Sequence, residues 1–130
     1  MRANRGWRRV ALGIVFLWFA IGGVAHFVAT DAFVSIVPPY VPMPRGAVLL
    51  SGVLELLGAV GLLLPRTRRA AGIGLCLLTL AVTPANVHML QNAADYPDIP
   101  YWVLLVRLPL QVALLATIAW ASGLLRWRRG

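Results

Sequence analysis

A chain of 130 residues that is 60% hydrophobic and only 12% charged is too apolar for a soluble domain of its size. Its formal net charge of +8 comes from twelve basic residues, all arginine. They flank apolar runs and line no polar face, which excludes nucleic acid as a partner and leaves the lipid bilayer. The single cysteine, Cys76, sits inside an apolar run. Dithiol chemistry within the chain is therefore excluded, although a redox partner could bring its own thiols.

Four apolar runs, at about 10–28, 46–64, 70–90 and 101–125, are each long enough to cross a ~30 Å hydrocarbon core as a helix. The expected fold is all-α: an integral membrane four-helix transmembrane bundle occupying 1–130 as one domain. The first run follows Arg2, Arg5, Arg8 and Arg9. An arginine-rich start, an apolar stretch and small residues at 29–32 also have the outline of a signal peptide, but removing this run would leave three spans and spoil the charge pattern. The link 29–45 holds Pro38, Pro39, Pro42 and Pro44. It is expected to be a stiff, extended connection, with a short interfacial helix over 32–37. Either a lid over a cavity or a rigid joint fits that composition.

Glu55 lies in the middle of the second run. A carboxylate at mid-membrane costs roughly 2.5–3.5 kcal/mol on insertion scales, so such a residue is usually neutral, paired or at work. After this run come Arg66, Arg68 and Arg69. The third and fourth runs contain Pro84 and Pro109, which free the carbonyls of Leu80 and Leu105 and predict kinks. Gly22, Gly23, Gly58, Gly61, Gly72 and Gly74 allow helices to approach closely. The C-terminus carries Arg126, Arg128 and Arg129. With four spans, the N-terminus, the second link and the C-terminus share one side and hold ten arginines. The opposite side has Arg45 alone in its links, so both termini are expected in the cytoplasm. Tyr40, Tyr96, Tyr101 and Trp102 then fall at the outer interface, and Trp7 and Trp127 at the inner one.

The intramembrane polar residues gather by depth. His26 and Asn86 rise about 24 Å from the inner ends of their runs, while Glu55 descends about 13 Å and Arg107 about 9 Å from the outer side. Gln111 is one turn beyond Arg107 on the same face. All lie in the outer half or near the midplane. This predicts one buried polar site open to the outside, with Glu55 paired to Arg107 and with Gln111 and Asn86 meeting the remaining hydrogen-bond demand. His26, His88 and Glu55 lack the spacing of a metal site, so no metal is expected.

Several segments together resemble the DoxX family of small bacterial membrane proteins. They are GGVAHF at 22–27, PPYVP at 38–42, SGVLELLG at 51–58, LPRTRR at 64–69, TPAN at 83–86 and LVRLPLQ at 105–111. The resemblance covers nearly the whole chain. It implies a four-helix protein of the bacterial cytoplasmic (inner) membrane and, through a distant member that is the membrane subunit of a thiosulfate:quinone oxidoreductase, quinone- or thiol-linked redox biology.

The expected function is binding of a small lipophilic ligand, with a quinone among the candidates, by a redox-associated membrane subunit. The candidate ligand-binding residues are His26, Glu55, Asn86, Arg107 and Gln111. The alternative is a non-catalytic partner that stabilises or assembles a membrane complex, with a second copy of the chain among its candidate partners.

Overall fold

The four apolar runs become four helical columns. The computed structural model describes residues 2–124, with side chains from residue 5 onward. Leu125, Arg126, Trp127, Arg128 and Arg129 lie outside the described residues, as does the side chain of Arg2. Helix α1 spans Arg2–Val28 and is followed by a short α2, Thr30–Val34. Helix α3 spans Pro44–Leu63, α4 Arg68–Ala81, α5 Thr83–Gln91 and α6 Tyr101–Ala121. No strand occurs among the described residues. With α4 and α5 taken as one column, four helices are long and apolar enough to cross a membrane. The packing order α1–α3–α4–α6 closes back on α1.

The side chains are distributed inside out for a water-soluble bundle. On α1, Ala11, Val15, Phe19 and His26 recur at helical spacing and are buried. Its opposite face exposes Val10, Ile14, Leu17, Trp18 and Ile21. The other columns expose leucines and valines in the same way, among them Leu57, Leu77 and Val112.

Small residues set the helix spacing. A Cβ on Gly52 would lie 2.8 Å from the His26 Cβ and 3.2 Å from the Gly23 carbonyl oxygen, so α1 and α3 cross backbone to backbone. Gly61 faces Ala71 between α3 and α4, and Gly72 faces Ser122 at the end of α6. Gly74 differs from the packing expected of it, because among the described residues nothing outside its own helix backbone and chain neighbours lies within 4 Å of its Cβ position.

The half of the bundle near the arginines is filled with apolar side chains. Leu12, Val15 and Phe19 of α1 pack with Ala59 and Leu62 of α3, Leu75 of α4 and Ile118 of α6. Arginines also close helix ends here. Arg8 Nε donates to the Ala121 carbonyl at 3.2 Å, and Arg68 Nε to the Leu62 carbonyl at 2.8 Å. Both serve C-terminal carbonyls that have no partner within their own helix, where positive charge is favoured.

The proline-rich link departs from the extended form expected of it. The short helix comes earlier, at Thr30–Val34, and is followed by tight turns, including Val41 N–H to Pro38 O at 3.0 Å. The φ that proline imposes suits the second position of a turn as well as an extended chain, and Pro39 occupies that position. Met43 takes a left-handed φ of 52°, and Pro44 starts α3 at a position where its missing N–H costs nothing. The third link holds a 3₁₀ turn, Ala93–Asp95, and the Tyr96 hydroxyl donates to the Ser35 carbonyl at 2.9 Å. One link thus tethers the other.

The two helical prolines act differently. At Pro84 the column breaks outright, with Val82 ending α4 and preceding α5. Helix α6 continues through Pro109.

Candidate functional site

In the half near the prolines the columns enclose a cavity of about 630 Å³. That is within the usual range for small-molecule sites. Helices α1 and α3 supply one wall, and α4, α5 and α6 the other. The first link roofs it through Phe33, Val37, Pro38 and Tyr40. The lining is mostly apolar. All five candidate residues, His26, Glu55, Asn86, Arg107 and Gln111, contribute to it.

On the first wall, His26 Nδ1 sits 2.7 Å from the Gly22 carbonyl oxygen. A carbonyl only accepts, so this nitrogen carries the hydrogen. The same nitrogen lies 3.1 Å from Glu55 Oε2. That is ion-pair distance, yet the buried Oε2 accepts no hydrogen bond among the described residues. Gly22 makes the approach feasible, since a Cβ there would stand 3.5 Å from Oε2. Phe33 stacks on the imidazole with ring centroids 4.1 Å apart and an interplanar angle of 19°. The turn that brings Phe33 over is fixed by the Thr30 hydroxyl, which donates to the His26 carbonyl at 2.7 Å.

On the second wall, the Asn86 amide donates to Gln111 Oε1 at 2.7 Å. Gln111 Nε2 donates to the Thr79 carbonyl at 2.8 Å and also contacts the Thr83 hydroxyl. That hydroxyl in turn donates to the Thr79 carbonyl at 3.2 Å. Gln111 therefore staples α6 to the break between α4 and α5. The side-chain donors converge on Thr79, one residue before the Leu80 carbonyl that the proline rule singles out.

Arg107 overturns the expected ion pair. Its guanidinium donates to Met89 Sδ at 3.3 Å, and no ion pair to Glu55 forms. A thioether is a weak acceptor and carries no compensating charge. Among the described residues no carboxylate lies within 4.0 Å of this guanidinium. Depth brought Glu55 and Arg107 to similar levels, but the cavity separates their walls. Glu55 turns to α1 through the space at Gly22, and Arg107 turns to α5. Gln111 and Asn86 satisfy each other and the broken helix, and they make no bond to Glu55.

Some contributors were not foreseen. Thr79 and Thr83 carry a legible signal, two threonines one turn apart beside a proline inside an apolar run. Phe33 and Met89 carry none, because the link's path and the rotation of α5 depend on tertiary packing. His88 does not line the cavity; its carbonyl and ring face the Asn92 amide at 2.9 and 3.3 Å. No group of three or more His, Cys, Asp or Glu that could hold a metal occurs among the described residues.

Residues 14–124 match the model of a family described as Domain of unknown function (DUF8561). The chain belongs to that family. No curated protein and no solved structure matches it. The DUF8561 segment includes every residue of the two walls described above.

Proposed function

We propose that this DUF8561 protein is an integral protein of the bacterial cytoplasmic membrane, with both termini cytoplasmic. Its cavity binds a small lipophilic molecule bearing oxygen functions, with a quinone the leading candidate, and it acts as a membrane subunit associated with redox chemistry. The membrane reading is supported by the outward-facing apolar side chains, the four helices of sufficient length and the ten arginines expected on one side. The resemblance to the DoxX family favours the redox association.

One observation carries the ligand reading. Arg107, whose guanidinium has no carboxylate partner among the described residues, and Glu55, whose buried Oε2 has only the His26 contact at 3.1 Å and accepts no hydrogen bond, line the same cavity from opposite walls. Each is costly within a membrane unless something answers it. A molecule with an oxygen acceptor for Arg107 and a hydroxyl for Glu55 answers both, as the two oxygens across a quinone–quinol ring can. His26, stacked under Phe33 beside Glu55, orients that end. Arg107 recognises the other.

The test is thermal unfolding of the detergent-purified protein with and without quinone. At a hundred-fold excess over Kd, binding to the folded state adds about 2.7 kcal/mol. Wild type should gain stability, and Arg107→Gln and Glu55→Gln should gain much less. The Asn86–Gln111–Thr79 network, already satisfied within the chain, favours a second reading in which the polar groups lock a scaffold for assembling another membrane protein. If no quinone stabilises the wild type and no small molecule accompanies it through purification, the scaffold reading replaces the first.

A further inference from the structure

The roof and the flanks of the cavity are built differently. Over the top run Phe33, Val37 and Pro38, held down by the stacking on His26 and by the Tyr96 hydroxyl on Ser35. Pro38 is buried. Most of the path from the aqueous side is thus covered by packed, tethered residues; Tyr40 alone among these roof residues lines the cavity while largely exposed, at 73%. On the flank between α1 and α6 the lining residues reach the outer surface. Trp18 and Ile21 of α1 line the cavity while 49% and 67% exposed, and Leu110 of α6 does so at 44%. Leu114 continues the α6 edge one turn on. Outward-facing lining residues on both of two neighbouring helices mark a mouth between them. Both helices bordering this flank contribute such residues. On the far flank exposed lining residues come from the α4–α5 column alone, at Ala81 and Pro84.

Helices α1 and α6 close on each other at the arginine end, where Arg8 reaches Ala121 and Val15 shares a core with Ile118. Nearer the prolines, the mouth lies at membrane depth and its rim is wholly apolar. Arg107 stands on α6 one turn from Leu110, just inside that rim.

We propose that the ligand enters sideways from the bilayer between α1 and α6, and that it is a tailed lipophile. Its oxygen-bearing head lies between Arg107 and the Glu55–His26 pair, and its hydrocarbon tail passes out across Trp18, Ile21 and Leu110. This rests on the ligand reading above and adds the route and the tail. An apolar rim at membrane depth offers a water-soluble molecule no approach, whereas a tail left in the mouth keeps its contact with lipid.

The experiment compares two quinones with the same naphthoquinone ring, one tailless (menadione) and one carrying a four-isoprene tail. Thermal shifts are read on wild type and on an Ile21→Trp/Leu110→Trp variant that narrows the mouth without touching Arg107, Glu55 or His26. In wild type the tailed form should reach its half-maximal shift at a concentration at least ten-fold lower. In the variant the tailed form should lose that advantage, while menadione keeps its wild-type shift. Equal potency of the two quinones on wild type, or an unchanged advantage of the tailed form on the variant, overturns the lateral route and leaves the ligand site standing. No shift with either quinone on wild type overturns both.

Discussion

The site depends on how closely α1 and α3 approach, and Gly52 controls that distance. An added Cβ would meet the His26 Cβ at 2.8 Å, Phe27 Cε2 at 3.0 Å and the Gly23 carbonyl oxygen at 3.2 Å. The ring edge of Phe27 can swing away, but a Cβ and a backbone carbonyl cannot. The helices must separate, and Gly52→Ala carries the usual overpacking cost of about 1–3 kcal/mol. Against this stands the higher helix propensity of alanine, worth up to about 1 kcal/mol. Gly74 supplies the control, because it gains the propensity term while no described residue of another helix lies within 4 Å of its Cβ position. Gly52→Ala should therefore be less stable than Gly74→Ala by about 1–3 kcal/mol in reversible unfolding in mixed micelles. The same separation draws His26 from Glu55, so Gly52→Ala should also weaken quinone-dependent stabilisation and Gly74→Ala should not. Equal stability of the two variants would refute the close crossing as the element that builds this wall.

Two further outcomes follow from the network and the charge pattern. Gln111→Leu leaves Asn86 and the Thr79 carbonyl short of a partner; at ~0.6 kcal/mol for an average interhelical contact in a membrane and ~1.7 for the strongest, it should cost about 1–3 kcal/mol. Thr83→Ala should cost less, because Gln111 still serves Thr79, and chemical or thermal unfolding of the two variants checks the order. In a Cys76→Ser background, a cysteine at Asp98 should react with a membrane-impermeant maleimide from outside intact cells, and one at Arg66 only after permeabilisation. Labelling of both from the same side would contradict the orientation.

The elements and the gathering of polar groups at one end were legible because hydropathy and helical rise are one-dimensional quantities. Counting ~1.5 Å per residue places His26, Glu55, Asn86, Arg107 and Gln111 at related depths without knowing how the helices are rotated. Pairing is a different matter, because it depends on rotation and on what fills the middle. Glu55 and Arg107 agree in depth, yet a cavity stands between their walls, and Gly22 admits the carboxylate to α1. The proline link shows a similar limit. Pro38, Pro39 and Pro42 disfavour a helix over 38–43, but they do not choose between extended chain and consecutive turns, and that choice sets how the link roofs the cavity. The break at Pro84 was visible as a disturbance. Its repair by Gln111 from another helix required the packing.

The central claim is that Arg107 and Glu55 face a ligand within the membrane half that holds the cavity. Native mass spectrometry of the protein, extracted from its own membranes into mild detergent, tests it most directly. The account predicts a chain carrying a bound species of a few hundred daltons, extractable into organic solvent and depleted in Arg107→Gln. Spectra showing only the bare chain for wild type and variant alike would contradict it.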